Sequence, residues 1–236
     1  MKTNIHKSAG FTLVELLVVI AIIVTLAGVA TPVLLGQKKK GDHAKAVQNA
    51  KQVGYALFNF ENDFGRYPDT NTLDDLDDGA IVAAGTSTSN AFFSQLIAAG
   101  YVDQEAPFFA KAAFTVEPDN IKNTASTILE EGEVGFSYVM RSSGVALNSS
   151  VNSAIPLVVA PASLESAGDF DRNVYNKKAV VLRIDMSVTD PRINDQNRIT
   201  LRGGNDLINS TSAGTVWNDS GITSPVVVVP AGAAGG

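Results

Sequence analysis

The sequence contains no cysteine, two histidines and a single tryptophan among its 236 residues. Without cysteine, disulfides cannot stabilise the fold and thiol chemistry is excluded. Both histidines, His6 and His43, flank an apolar run near the N-terminus. A Ser-His-Asp or Cys-His catalytic arrangement and a histidine-based metal centre are therefore excluded from the rest of the chain. These absences predict that the protein is not an enzyme.

Basic residues are also scarce. The formal net charge is −6, and from Gly65 onward the chain has 20 acidic and 11 basic residues, a net charge of −9. This balance lacks the basic surface that a nucleic-acid-binding protein needs. It suits a soluble extracellular surface or a cation site instead. Nucleic acid is therefore not an expected partner.

The most distinctive stretch that is present is an apolar run from Phe11 to Leu35, preceded by a short basic leader that ends at Gly10. This run is long enough to cross a bilayer, which takes ~20 apolar residues. Glu15 is its only ionisable residue. A charged group inside a spanning segment is costly and is usually functional. Glu15 is therefore expected to need a partner.

The residues Gly10–Glu15, G-F-T-L-V-E, resemble the processing motif of type IV prepilins and type II secretion pseudopilins. The resemblance implies that a prepilin peptidase cuts between Gly10 and Phe11 and that the new N-terminus of Phe11 is methylated. It also implies that the freed amine of Phe11 pairs with Glu15 of a neighbouring subunit during filament assembly, because an unpaired buried charge is strongly penalised. Phe11, Glu15 and Pro32 are the assembly residues that it predicts.

Two other interpretations of the apolar run stay open. One is an ordinary secretory signal peptide, with Lys2 and Lys7 as its basic region and Gly28-Val29-Ala30 as its cleavage site. The other is a plain single-pass anchor. Counting basic residues would place the C-terminal side of the run in the cytoplasm. The processing motif implies the opposite orientation, because the family's peptidase acts on a cytoplasmic leader.

The helix is predicted to continue beyond the apolar run to Phe64. Apolar residues recur there at three- and four-residue steps and form an amphipathic stripe: Val47, Ala50, Val53, Leu57, Phe60 and Phe64. Gly65 and Pro68 then end the helix. The aromatic-rich helix end followed by Gly65-Arg66-Tyr67-Pro68 resembles type II secretion pseudopilins, especially the major-pseudopilin-like group.

The later half of the chain is rich in β signals separated by Gly, Asn, Ser and Pro. A short helix is expected at Ala91–Ala99, and the candidate strands are Val134–Arg141, Ile155–Ala160, Lys178–Ile184, Arg198–Leu201 and, as a final edge strand, Ser224–Pro230. The segment Lys177–Val188 also resembles a C-terminal hairpin of some pilin-like proteins, with Met186 where glycine is usual. The predicted fold class is α+β, a pilin-like long N-terminal helix packed on an antiparallel β-sheet head.

The predicted organisation has four parts. A cleaved leader peptide occupies 1–10, a transmembrane and assembly helix 11–35, an amphipathic helix 36–64, and an extracytoplasmic head domain 65–236. The resemblance implies insertion in the bacterial inner membrane, then assembly with copies of itself or pilin-like subunits into a helical fibre in the periplasm or on the cell surface. That fibre is expected to be either a secretion pseudopilus or a surface pilus. The alternative is a membrane-tethered binding or adhesin domain that does not polymerise.

Calcium is the one cofactor that the resemblance raises. Major pseudopilins of type II secretion often hold calcium in a C-terminal loop, and Asp190, Asp195 and Asp206 lie in a loop-rich region of this chain. A second acidic cluster is formed by Asp74, Asp75, Asp77 and Asp78. Calcium takes about six to eight oxygen ligands. Neither cluster has a fixed-spacing motif, so solvated acidic loops are the other interpretation.

Overall fold

The computed structural model describes residues 11–76, 80–83, 87–165, 168–200, 205–212 and 214–232. Gly10, with the rest of the leader, lies outside these residues, as do Asp77 and Asp78. The chain divides into two compact units, Met1–Lys39 and Lys40–Gly236. The predicted division into leader, membrane helix, amphipathic helix and head stays a prediction.

The helices are α1 (Leu13–Phe64) and α2 (Ser89–Ala98), with single 3-10 turns at η1 (Ala106–Phe108) and η2 (Asn218–Ser220). The strands are β1 (Ser137–Met140), β2 (Pro156–Ala160), β3 (Val180–Arg183), β4 (Val188–Thr189) and β5 (Val226–Val228). They form one sheet in the order β4-β3-β2-β1-β5, in which every neighbouring pair is antiparallel. The predicted fold class is confirmed.

The predicted end of α1 is confirmed at Phe64. Gly65 follows with a φ of +73°, a left-handed conformation that glycine adopts without steric cost, and its N–H donates to the Glu61 carbonyl at 2.7 Å. The predicted stripe is confirmed as well. Its four central residues are buried: Ala50, Val53, Leu57 and Phe60. Its two outer residues, Val47 and Phe64, are partly buried and pack against the same hydrophobic cluster as the sheet.

A close approach of α1 to the sheet explains the glycine in the middle of the amphipathic stripe. A Cβ on Gly54 would lie 3.1 Å from both terminal methyl groups of Leu182 and 3.2 Å from the Met186 sulfur. Asn49 is also buried on this helix, because its side-chain amide donates to the carbonyls of Ala106 and Phe109 at 3.0 and 2.8 Å. Asn49 is thus buried although it is not one of the apolar residues of the stripe.

The strand predictions differ from the structure at two places. Arg198–Leu201 is not a strand over its described residues, because Ile199 and Thr200 make only isolated bridges, to Ile193 and Asp206. The two-residue strand β4 was missed. It closes a hairpin with β3 at the turn that contains Met186, whose φ is +62°. That left-handed backbone accounts for the glycine that is usual at this place in the resembling hairpin.

A buried polar network holds the loop after α1 against α2. Asp69 is 1% exposed, and its carboxylate accepts hydrogen bonds from the backbone N–H groups of Asn71 at 2.8 Å, Thr72 at 3.0 Å and Ala146 at 3.4 Å. The Gln95 side chain donates to the Asp69 carbonyl at 3.0 Å and accepts from the Thr72 hydroxyl at 2.6 Å. One carboxylate therefore satisfies donors from two separate loops.

Replacing Asp69 by alanine is expected to destabilise the protein by about 3 kcal/mol, because three buried or half-buried N–H groups lose their acceptor. The check is chemical unfolding of the full chain in detergent, followed by the fluorescence of the single, buried Trp217. Asp74→Ala is the matched control, because that side chain is exposed and its loss should change stability by less than about 0.5 kcal/mol. Equal effects of the two changes would contradict the network's role.

Candidate functional site

The N-terminus of α1 is closed by a reciprocal pair of hydrogen bonds between Thr12 and Glu15. The Glu15 carboxylate accepts from the Thr12 backbone N–H at 2.9 Å and from the Thr12 hydroxyl at 2.8 Å. The Glu15 backbone N–H donates in return to the Thr12 hydroxyl oxygen at 3.2 Å. This is a capping box, in which the cap residue and the third helical residue satisfy each other's free N–H groups.

The capping box gives the Glu15 carboxylate a partner inside its own chain. The family resemblance implies a partner on a neighbouring subunit, and the contact with Thr12 was not predicted. The signal was present, because Thr-x-x-Glu before an apolar run is the sequence pattern of a capping box. The acid also lies in the first turn of α1, where the helix dipole favours negative charge. Glu15 is thus held at the start of α1 by residues of its own chain.

The first unit presents a continuous apolar surface. From Leu13 to Val29 every residue of α1 is exposed, and the large side chains at the two ends of that stretch, Leu13 and Val29, are 85% and 75% exposed. Apolar surface of this extent needs lipid or protein to cover it. Phe11, the predicted new N-terminus, is 79% exposed beside it. Pro32 lies within α1.

Within the described residues, no single helix is by itself long and apolar enough to cross a membrane. Two helical parts on either side of a bend, Leu13–Val29 and Leu34–Phe64, meet that criterion when they are taken together.

Residues 5–31 match the family model described as the prokaryotic N-terminal methylation motif. The chain is also 42% identical over 65 residues to a type II secretion system core protein G from Pectobacterium carotovorum, a match that covers 28% of this chain and 42% of that protein. The N-terminal segment of this chain is therefore similar to that of a type II secretion pseudopilin. The Thr12–Glu15 capping box lies inside the residues that match the methylation motif.

Two further relatives carry the same name, type II secretion system core protein G. The protein from Escherichia coli K12 is 45% identical over 65 residues, or 28% of this chain and 45% of that protein. The protein from Vibrio cholerae is 40% identical over 68 residues, or 29% of this chain and 47% of that protein. The chain thus spans less than half the length of the relatives it matches. No solved structure matches it.

The C-terminal aspartates that were predicted to bind calcium are not brought together in the part of the chain that the structure describes. Asp190 forms an ion pair with Lys178, whose hydrogen bond lowers the pKa of the Asp190 carboxyl, and Asp195 forms an ion pair with Arg172. Asp206 makes an isolated backbone bridge to Thr200. Among the described residues, these three aspartates are not part of a carboxylate group close enough to share an ion. Calcium at this place stays a prediction.

Proposed function

We propose that this chain is a structural subunit of a fibre, either a type II secretion pseudopilus or a related type IV pilus, and that prepilin peptidase processes it after Gly10. The observation that carries the proposal is the methylation motif over residues 5–31, which runs into a helix with exposed apolar side chains and one acid. Such a surface requires lipid before assembly and neighbouring helices afterwards.

The proposed course of assembly follows from the placement of Glu15. The first unit is inserted in the inner membrane, the leader is removed, and the amine of Phe11 on one subunit approaches the Glu15 carboxylate of another. The capping box keeps that carboxylate at the start of α1, so the neighbour meets an anion in a fixed position. The acidic head stays on the outside of the membrane, in the periplasm or at the cell surface, and performs no catalysis.

Two observations support this function over a membrane tether that never polymerises. The named relatives are proteins of a secretion system, and the acid lies inside the residues that match the methylation motif. A surface pilus remains the second candidate. The 65-residue match covers 28% of this chain but 42% and 45% of two relatives, so this chain is longer than they are. It therefore has more residues outside the matched segment.

Intact-mass analysis of the protein from its native cells tests the processing step. We expect a mature chain that begins at Phe11 and carries one methyl group on its amine. Gly10→Val should leave the leader in place, because a branched side chain then stands at the scissile bond, whereas Ser8→Ala should be processed normally. An N-terminus at Met1 or after Ala30 in the unmodified chain would contradict the proposal and favour a plain anchor or a secretory signal peptide.

Electron microscopy of the envelope separates the candidate fibres. Long surface fibres that disappear on deletion of the chain favour the pilus. A secretion defect without long fibres favours the pseudopilus. Correctly processed protein that forms neither, and that cannot be cross-linked through α1 to a second pilin-like subunit, would contradict the fibre proposal and leave the membrane-tethered binding domain.

A further inference from the structure

Three carboxylates converge in the head, far along the chain from the assembly helix. Glu105, Asp119 and Glu133 each offer one oxygen, and these oxygens all lie within 4.8 Å of one another. Glu105 directly precedes η1, and Glu133 lies shortly before β1. Residues 109–136, which lie between η1 and β1, contain no helix or strand. The cluster therefore brings three carboxylates close together in a part of the chain that has little regular secondary structure.

One buried oxygen of this cluster has no donor among the residues that the structure describes. Glu105 is 0% exposed and its Oε1 accepts from the Leu129 backbone N–H at 3.0 Å, whereas its Oε2 has no hydrogen-bond partner there. A buried acceptor without a partner is costly and calls for an explanation. Both oxygens of Glu133, by contrast, accept backbone hydrogen bonds, from Asp119 at 2.9 Å and Glu130 at 2.7 Å. Of the two buried carboxylates of the cluster, Glu105 is therefore the one with an unpaired oxygen among the described residues.

The three carboxylates also lack a counter-charge in the part of the chain that the structure describes. None of the four ion pairs found there involves Glu105, Asp119 or Glu133. The amine of Lys122, although nearby in sequence, donates to the Asp103 carbonyl and the Asn120 side chain. Burial, followed by the neighbouring carboxylates, raises the pKa of Glu105 and of Glu133. A bound cation would remove this mutual repulsion.

We propose that Glu105, Asp119 and Glu133 bind a divalent cation, and that this cation is calcium. All three side chains are hard oxygen ligands, which suit calcium and magnesium rather than zinc. Magnesium demands a near-ideal octahedron, whereas calcium accepts irregular shells completed by backbone carbonyls and water. Ligands from three separate points of an irregular segment fit the more tolerant ion. This site precedes β1, whereas the predicted calcium ligands Asp190, Asp195 and Asp206 follow β4.

Thermal unfolding of the full chain in detergent, followed by Trp217 fluorescence, tests the site. With CaCl2 at about a hundred times its dissociation constant, the midpoint should rise by roughly 5–10 °C over the value in EDTA. Glu105→Gln keeps the acceptor for Leu129 but removes a charge, so this variant should lose most of that rise and bind calcium at least ~10-fold more weakly by calorimetry. Asp190→Asn is the matched control and should respond as the unmodified chain does.

The second variant is Asp119→Asn, which changes an exposed ligand and should also weaken calcium binding without affecting folding. It decides the matter if Glu105→Gln fails to fold. An equal response to CaCl2 in the unmodified chain and the ligand variant would overturn the proposal, as would no response at all. Loss of the response in Asp190→Asn alone would move calcium to the loop after β4. An equal rise with MgCl2 would overturn the assignment to calcium.

Discussion

Replacing Glu15 by alanine is expected to abolish the fibre while leaving the protein in the membrane. The change removes the only carboxylate of the apolar run, so the Phe11 amine of a neighbouring subunit would be buried without a counter-charge. Assembly should fall by at least ~100-fold, since the loss of one partner of a buried ion pair is strongly destabilising. The measurement is the amount of fibre per membrane-bound subunit, from quantitative electron microscopy and immunoblotting.

Glu15→Gln is the informative control, because it separates the two roles of this side chain. Glutamine can still accept the Thr12 N–H and complete a capping box, but it carries no charge. If the charge drives assembly, the glutamine variant should fail as the alanine variant does. Normal fibres from the glutamine variant would show that only the capping of α1 matters, and the proposed pairing with Phe11 would have to be abandoned.

Replacing Gly135 by alanine is expected to unfold the head or to destabilise it by more than about 3 kcal/mol. A Cβ at this position would lie 1.7 Å from the Ala110 carbonyl oxygen and less than 3 Å from the Ala110 carbonyl carbon and nitrogen. The obstacle is backbone, so no side chain can turn away to make room. The Gly135 N–H also donates to Phe108 at 3.2 Å and its carbonyl accepts from Ala162 at 3.3 Å, which holds it in place.

The matched control for this substitution is Gly41→Ala. Gly41 lies in α1, and a Cβ there would meet nothing within 4 Å. Alanine should therefore stabilise that helix by up to ~1 kcal/mol through its higher helix propensity. Both variants are compared by chemical unfolding with Trp217 as the probe. If Gly135→Ala unfolds at the denaturant concentration of the unmodified chain, the close approach to Ala110 does not exist in solution.

Features set by local periodicity or by a single residue could be predicted from the sequence. The 3.6-residue repeat gave the buried face of α1, and Gly65 gave its end, because both depend on neighbours along the chain. The strands β1, β2, β3 and β5 lie inside segments rich in β-branched residues. Asn49 could not be placed, because its burial depends on two carbonyls more than fifty residues away.

The candidate sites divide in the same way. The motif around Glu15 has fixed spacing on one helix, so its residue types identify it, although its capping by Thr12 was overlooked. Glu105, Asp119 and Glu133 come from an irregular segment, and only tertiary structure brings them together. Of the aspartates that seemed grouped in the sequence, Asp190 and Asp195 instead pair with basic residues. In segments without regular secondary structure, the spacing of acidic residues along the sequence does not show which carboxylates lie close together in the fold.

The two edge strands of the sheet, β4 and β5, limit how neighbouring head domains could pair through their backbones. On one margin β4 is two residues long, and on the other β5 is three residues long and lies between Pro225 and Pro230. A short edge strand, or one flanked by prolines that lack an N–H, offers few backbone groups for hydrogen bonds with a strand of another chain. If the proposed fibre crowds the subunits, the described strands would offer little backbone for cross-β stacking, and lateral contacts between subunits are expected to be made by side chains.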